Sequence, residues 1–173
     1  MAPPAAYADA TALIALARID RLDLLTLLPG PIRATARVWD EATGDHGKPG
    51  VAALLRARAD GLLVVVEEGD PAAFPELDPG ECTVLTAAAA AGGIALIDER
   101  KARTRIDADP HLKGSIRQAT EVVGLILLAK RRGRVPAARP LLDALIGQGF
   151  WMSPAFYREA LRQAHELSPE GQP

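Results

Sequence analysis

Two short apolar runs, Leu62–Val66 (LLVVV) and Ile94–Ile97 (IALI), set the frame of this chain. Uniformly apolar segments of this length are expected of strands covered on both faces. The second run lies in a longer ordered stretch, Leu77 to Arg100. There Pro79-Gly80 makes a turn, and Glu81 opens a helix whose alanines, Ala87 to Ala91, pack closely against a sheet. Gly92-Gly93 ends that helix, the strand follows, and the strand runs out into Asp98-Glu99. A weaker strand over Ala5 to Ala10 ends in the same way, at Asp9; Thr11 then begins a helical pattern through Leu13, Ile14, Leu16 and Ala17. Carboxylates at the C-terminal ends of buried parallel strands lie where open α/β sheets place their ligands.

The remaining pattern is mostly helical. Ile19–Leu28 reads as a second helix stopped by Pro29-Gly30-Pro31. Thr35–Thr43 reads as a third, with Val38, Trp39 and Ala42 on its apolar face and Asp40 and Glu41 beside it. A polar loop over Gly44–Gly50 precedes a helix at Val51–Ala59. Arg100–Asp107 is a charged helical turn, and Asp109–Gln118 reads as loop, strand or both. Ala119–Arg132 is strongly helical and leads into the basic cluster Lys130 to Arg134. Pro136–Ile146 and Pro154–Leu167 are two amphipathic helices, the last capped by Ser153 with Pro154 at its first position. Helices alternating with short apolar strands predict an α/β fold with a parallel sheet. No repeat or linker divides the chain, so residues 1–173 read as one domain, with helices over about 136–167 appended.

Composition narrows the functional classes. Hydrophobic residues are 49% of the chain but aromatic ones only 4%, so the core is aliphatic. So few aromatics predict no stacking platform of the kind single-strand binders use. A net charge of −2 supplies no global field toward nucleic acid and leaves only local basic patches. The single cysteine, Cys82, excludes an internal disulfide and a multi-cysteine metal site, and is expected as a buried inert thiol. The opening MAPPAAYADA has neither the basic nor the apolar part of a signal peptide, and no apolar run is long enough for a membrane span. The expectation is a cytoplasmic protein with no membrane role.

Common catalytic motifs are absent: there is no G-x-G-x-x-G, P-loop, nucleophile elbow or H-E-x-x-H, and His46, His111 and His165 have no ligand spacing. What remains is a set of acids at element starts and ends: Asp9, Glu41, Glu81, Asp98 and Glu99. Singly, each has an ordinary role as a helix cap, a solvated charge or a first-turn acid. Gathered at one sheet edge they repel one another and raise their own pKa values. A hard divalent cation relieves that repulsion, and Mg²⁺ takes carboxylate oxygens and water. Such a centre suits phosphodiester hydrolysis. Arg100, Lys101, Arg103 and Arg105 follow the acidic edge directly and are candidates for pairing with substrate phosphates, against the plainer reading of a solvated helix face.

The segment Asp9-Ala10-Thr11-Ala12-Leu13-Ile14-Ala15-Leu16 closely resembles the opening motif of PIN-domain nucleases, an Asp followed two residues on by Ser or Thr and an apolar helix. Arg18 to Leu25, Val38 to Glu41, Leu77 to Glu81, Leu96 to Arg100, Leu128 to Gly133, Pro140 to Asp143 and Gly149-Phe150 resemble the VapC-like branch of that family, so the similarity covers nearly the whole chain. The resemblance implies a three-layer PIN-like fold, a short parallel sheet flanked by helices. It also implies a Mg²⁺- or Mn²⁺-dependent ribonuclease, often the toxin paired with an antitoxin protein, and usually a homodimer. Asp9, Glu41 and Glu81 match the family's first three acids. Asp98 or Glu99 matches the fourth, with Asp98 favoured, and the metal would be held among Asp9, Glu81, Asp98 and Glu99. Thr11 matches the hydroxyl residue that supports the water network at the metal. The chain departs from the branch in a longer Lys101–Val123 stretch and in Glu121-Val122, which stands where Gly-Thr is usual. Those departures motivate the alternative of a silent PIN-like module that binds RNA or protein. A dehalogenase-type phosphatase is disfavoured, because the first strand supplies Asp9-Ala10-Thr11 and not D-x-D-x-T.

Overall fold

A computed structural model describes residues 2–167. Five parallel strands form one sheet in the order β3-β2-β1-β4-β5, flanked by helices, the α/β architecture expected. The strands are β1 (Ala6–Ala8), β2 (Ile32–Thr35), β3 (Leu63–Val66), β4 (Ile94–Leu96) and β5 (Gln118–Thr120). The helices are α1 (Ala10–Arg18), α2 (Ala36–Thr43), α3 (Val51–Ala59), α4 (Pro79–Ala90), α5 (Arg100–Ala108), α6 (Pro110–Ser115), α7 (Val122–Arg131), α8 (Arg139–Gly147) and α9 (Pro154–Gln163). None of the described helices is long and apolar enough to cross a membrane.

Alanine makes the centre close-packed. β1 is Ala6-Tyr7-Ala8, fully buried, and its poor strand propensity is offset by pairing on both sides, with β2 and β4. The α4 helix lies across β1, β2 and β4, and its Ala87 and Ala88 let the backbone approach the sheet. Cys82 sits on this helix, fully buried, its thiol directed at the Phe74 carbonyl. The helix ends in a Schellman turn: Gly92 is left-handed at φ 57°, and the Gly93 amide donates to the Ala88 carbonyl at 2.8 Å. The chain then enters β4 at once. Gly93 has no room for a side chain, since a Cβ there would stand 2.4 Å from the Ala5 carbonyl oxygen.

Two strands escape the hydrophobic pattern. β2 holds Arg33 at its centre, which hides a run whose inward residues, Ile32 and Ala34, are buried. Arg33 is satisfied by Glu68 at 2.9 Å and lies over the ring of Tyr7, whose hydroxyl also donates to Glu68; the network ties the loop after β3 to the sheet. β5 is an edge strand with Gln118 and Ala119 exposed, so it lacks an apolar signature and takes the start of the run expected as helix from Ala119. The expected helix over Ile19–Leu28 is also corrected. Asp20 adopts a left-handed φ of 56°, which ends α1, and Leu22–Leu27 continues as a 3₁₀ turn. Its leucines are buried without helical periodicity. The C-terminal helices pack onto the body, α8 on α1 and α9 on α7. Glu166 accepts from the Ala138 and Arg139 amides at 2.6 and 2.9 Å, joining the end of α9 to the start of α8.

Candidate functional site

Because all five strands are parallel, their C-terminal ends share one edge, and the helices that follow β1, β3 and β5 begin there. Asp9 follows β1 and caps α1, its Oδ1 accepting from the Ala12 amide at 2.7 Å. Its Oδ2 accepts from the Asp98 amide at 2.9 Å, so one carboxylate joins the ends of two neighbouring strands. Asp98 turns toward the start of α7, where both its oxygens accept from the Val122 amide at 3.2 Å. Glu81 lies in the first turn of α4 in a capping box with Asp78, its Oε2 accepting from the Asp78 amide at 3.1 Å. Three acids thus stand at three helix N-termini, where the helix dipole favours negative charge.

The neighbours of the acids fix their placement. Thr35 caps α2, and its hydroxyl meets that of Thr83 at 2.7 Å; Thr83 in turn donates to the Gly80 carbonyl. This buried pair holds the first turn of α4, and with it Glu81, against the end of β2. Glu41 comes from α2 and is exposed, yet its Oε2 lies where a Cβ on Gly80 would be only 3.1 Å away. Gly80 thus lets Glu41 lie close against the first turn of α4. Asp9, Thr11, Glu41, Asp78 and Glu81 line one small cleft. Asp98 and Glu99 line the larger cleft beside it, and Thr11 belongs to both.

Crowding shows in the protonation behaviour. Asp9 is 3% exposed, and burial, with repulsion from Glu41, pushes its carboxyl up to about 6 against the amides that donate to it. Burial pushes Glu81 up to about 7, with Glu99, Asp78 and Asp9 adding repulsion. Asp98 is raised well above its usual range by burial and then by Asp9. Burial and Asp78 also raise Glu41. Where cations face these acids, as Arg103 faces Asp98, they do not overcome the effect.

A stability prediction follows for Glu81. In the folded chain it keeps its proton to about pH 7, against an ordinary value of 4.5. The stability that comes with the neutral form is complete below pH 4.5 and is lost as pH rises through 7. In EDTA, Glu81→Gln is expected to gain about 1–2 kcal/mol at pH 8, discounted for solvent screening, and nothing at pH 4.5. Urea denaturation at the two pH values checks this; an equal effect at both would show that the buried charge of Glu81 is not the cause.

Other sequence candidates are distributed as follows. Arg100 and Arg103 on α5 line the larger cleft, and Arg103 pairs with Glu121. Lys101 is exposed and lines neither cleft. Arg105 is taken up by Glu76, Asp109 and the face of Phe74. Glu121, readable in the sequence either as an extra acid near the metal or as a helix N-terminal charge, follows β5 and stands at the N-terminus of α7. Asp78, which enters the small cleft, was not among the sequence candidates, although it opens the D-P-G-E turn.

A family model for the PIN domain matches residues 6–166. The chain belongs to the PIN-domain family. No curated protein and no solved structure matches it. PIN domains are generally nucleases that hold divalent metals, and the donor set here fits such an ion in kind: oxygen ligands only, under mutual repulsion. It is not a closed cage. Among the described residues no three His, Cys, Asp or Glu side chains are grouped to hold an ion. Asp9 and Asp98 spend lone pairs on backbone amides, though each carboxylate oxygen keeps a second.

Proposed function

We propose that this PIN-domain protein is a metal-dependent endoribonuclease whose centre is the acidic edge of the sheet. The observation that carries the reading is the convergence of Asp9, Glu41 and Glu81 on one cleft, with Asp98 and Glu99 beside it and carboxyl pKa values pushed up by burial and like charge. One or two carboxylates drawn from Asp9, Glu81, Asp98 and Glu99 would hold Mg²⁺ or Mn²⁺, with water and substrate phosphate completing the shell. The ion supplies Lewis-acid chemistry, activating water and stabilising the leaving oxygen of a phosphodiester.

The chain's own groups do the positioning. Asp9, held by amides from α1 and β4, presents its carboxylate in a fixed orientation. Glu41 and Glu81 complete the wall of the small cleft, and the Thr11 hydroxyl orients water at the junction of the two clefts. The N-termini of α1, α4 and α7 converge on this edge and favour the phosphate of an RNA backbone. Arg100 and Arg103 flank it from α5 and pair with neighbouring phosphates.

Resemblance to the VapC-like branch supports the finer reading: a cytoplasmic, homodimeric toxin of a type II toxin–antitoxin system, held inactive by an antitoxin protein. A second reading, a silent module that binds RNA or protein, is favoured by the ion pair of Glu121 with Arg103, which engages a substrate-side cation with an acid the branch lacks. Incubation of a labelled RNA with the protein separates the two. Cleavage is expected with Mn²⁺ and is expected to vanish in EDTA. Folded protein that binds RNA without cutting it in Mn²⁺ would select the silent module.

A further inference from the structure

The turn that carries Glu81 is gripped from the middle of the sheet. Two residues after β3, the Glu68 carboxylate reaches across to β2 and β1, where Arg33 and Tyr7 are register partners. The Tyr7 hydroxyl, on a residue only 1% exposed, donates to Glu68 Oε2. Arg33 donates to Glu68 Oε1 at 2.9 Å and to the Tyr7 hydroxyl at 3.3 Å, so the three groups close a ring. Burial, and then Glu68 beside it, raise the Tyr7 hydroxyl above its ordinary value, which keeps it a donor. If Glu68 left, a buried hydroxyl and a guanidinium would lose their acceptor, and that cost fixes the carboxylate in place.

The next residue presses on α4. Gly69 is left-handed at φ 87°, and a Cβ there would stand 2.2 Å from the Thr83 carbonyl oxygen and 2.6 Å from its Cα, so backbone rests directly on backbone. The Asp70 amide then donates to the Thr86 hydroxyl at 2.7 Å, and Thr86 donates in turn to the Cys82 carbonyl at 2.7 Å. Through its own hydroxyl Thr83 meets Thr35 at the end of β2. The first two turns of α4 are thus held between residues 68–70 and β2. Glu81 lies two residues before Thr83. Among the described residues its carboxylate is bonded only to the Asp78 amide, inside the same turn. Where that turn stands decides where Glu81 stands relative to Asp9.

With the task of Glu81 resting on the metal reading above, we infer that Glu68 is its positioning residue. Clamped by Tyr7 and Arg33, Glu68 seats Gly69 against Thr83 and so sets the first turn of α4 at the acidic edge. Glu68 lines neither cleft and acts only through the backbone it holds. A divalent ion makes such remote control effective, because it takes oxygen donors at short and narrowly defined distances. Groups that orient a ligand without touching the ion accordingly tune its affinity. The neighbouring Glu67 is exposed and takes no part in the ring, so it carries the same charge without the clamp.

Titration with Mn²⁺, followed by water-proton relaxation, and amide hydrogen exchange in EDTA test this without cleavage. Glu68→Ala is expected to weaken Mn²⁺ binding roughly tenfold. It is also expected to speed exchange of the Cys82 amide, bonded to the Asp78 carbonyl, while that of Leu125, bonded in the same way at the start of α7, keeps its rate. Glu68→Gln, which keeps an acceptor for Tyr7, and Glu67→Ala, which removes an equal charge, are expected to stay close to wild type. In the Glu81→Gln protein, adding Glu68→Ala is expected to cost no further affinity, the sign of action through Glu81. Equal losses in the two backgrounds would overturn the inference, since the whole edge would then have loosened. So would wild-type Mn²⁺ affinity and Cys82 exchange in Glu68→Ala, or an equal loss in Glu67→Ala, which would make charge the cause. If Glu68→Ala does not fold, Tyr7→Phe, which removes one hydroxyl, is judged by the same criteria. A wild type that binds no Mn²⁺ removes the metal reading, and the exchange of Cys82 against Leu125 then decides the clamp alone.

Discussion

Asp9→Asn is expected to abolish Mn²⁺-dependent RNA cleavage, a loss of about three orders of magnitude or more, while the protein stays folded. The carboxylate would supply charge to the ion, and removing a ligand of that kind forfeits several kcal/mol of transition-state stabilisation. The effect on stability is a balance. Both oxygens of Asp9 accept from amides, Ala12 at 2.7 Å and Asp98 at 2.9 Å, and an Asn has one oxygen for the two. The amide left facing an NH₂ group costs about 1–3 kcal/mol. Against this, Asn removes a charge whose burial has lifted the carboxyl to about 6. At pH 8 that relief is worth about 3 kcal/mol, so the two changes nearly cancel. Cleavage assays paired with urea denaturation separate chemistry from folding. Retention of more than about a tenth of the activity by the folded variant would remove Asp9 from the metal site.

Gly93→Ala is expected to be strongly destabilising, by about 3 kcal/mol or more. The new Cβ would lie 2.4 Å from the Ala5 carbonyl oxygen and 3.4 Å from its carbon, backbone atoms with no freedom to swing aside. Ala5 cannot yield cheaply, because the same oxygen accepts from the Ile94 amide at 2.8 Å, the bond that sets β1 against β4. The Gly93 carbonyl also accepts from Arg117 at 2.8 Å at the start of β5. One methyl thus strains three strands at once, among them the two that bring Asp9 to Asp98. Gly114→Ala is the control: nothing lies within 4 Å of a Cβ there, and no change or a small gain is expected. Urea midpoints of the two variants check the contrast. A Gly93→Ala midpoint equal to that of Gly114→Ala would mean that β1 and β4 are not held in this register.

Much of this was legible in the chain because burial writes itself as an apolar run. Leu62–Val66 and Ile94–Ile97 announce β3 and β4, and the acids that follow β1 and β4 announce the edge where they meet. β2 was not legible, because Arg33 interrupts it and only the distant Glu68 and Tyr7 explain how a guanidinium is accommodated there. β5 was not legible because an edge strand need not be apolar. The aromatic end of the larger cleft escaped for a different reason. Composition counts residues but does not say where they gather, and it is the turn at Gly149 that sets Phe150 and Trp151 beside Arg18, more than a hundred residues away.

Cys82 gives the chain an internal reporter. It is the only thiol, fully buried, and directly follows Glu81 in the first turn of α4. Burial pushes its thiol up, so it reacts sluggishly even where a reagent reaches it, and reagent reaches it only when that turn opens. The rate at which an alkylating reagent marks the native protein therefore measures how often the acidic wall comes apart. Compared with the rate of global unfolding, it tells whether the wall breathes alone or only with the whole domain.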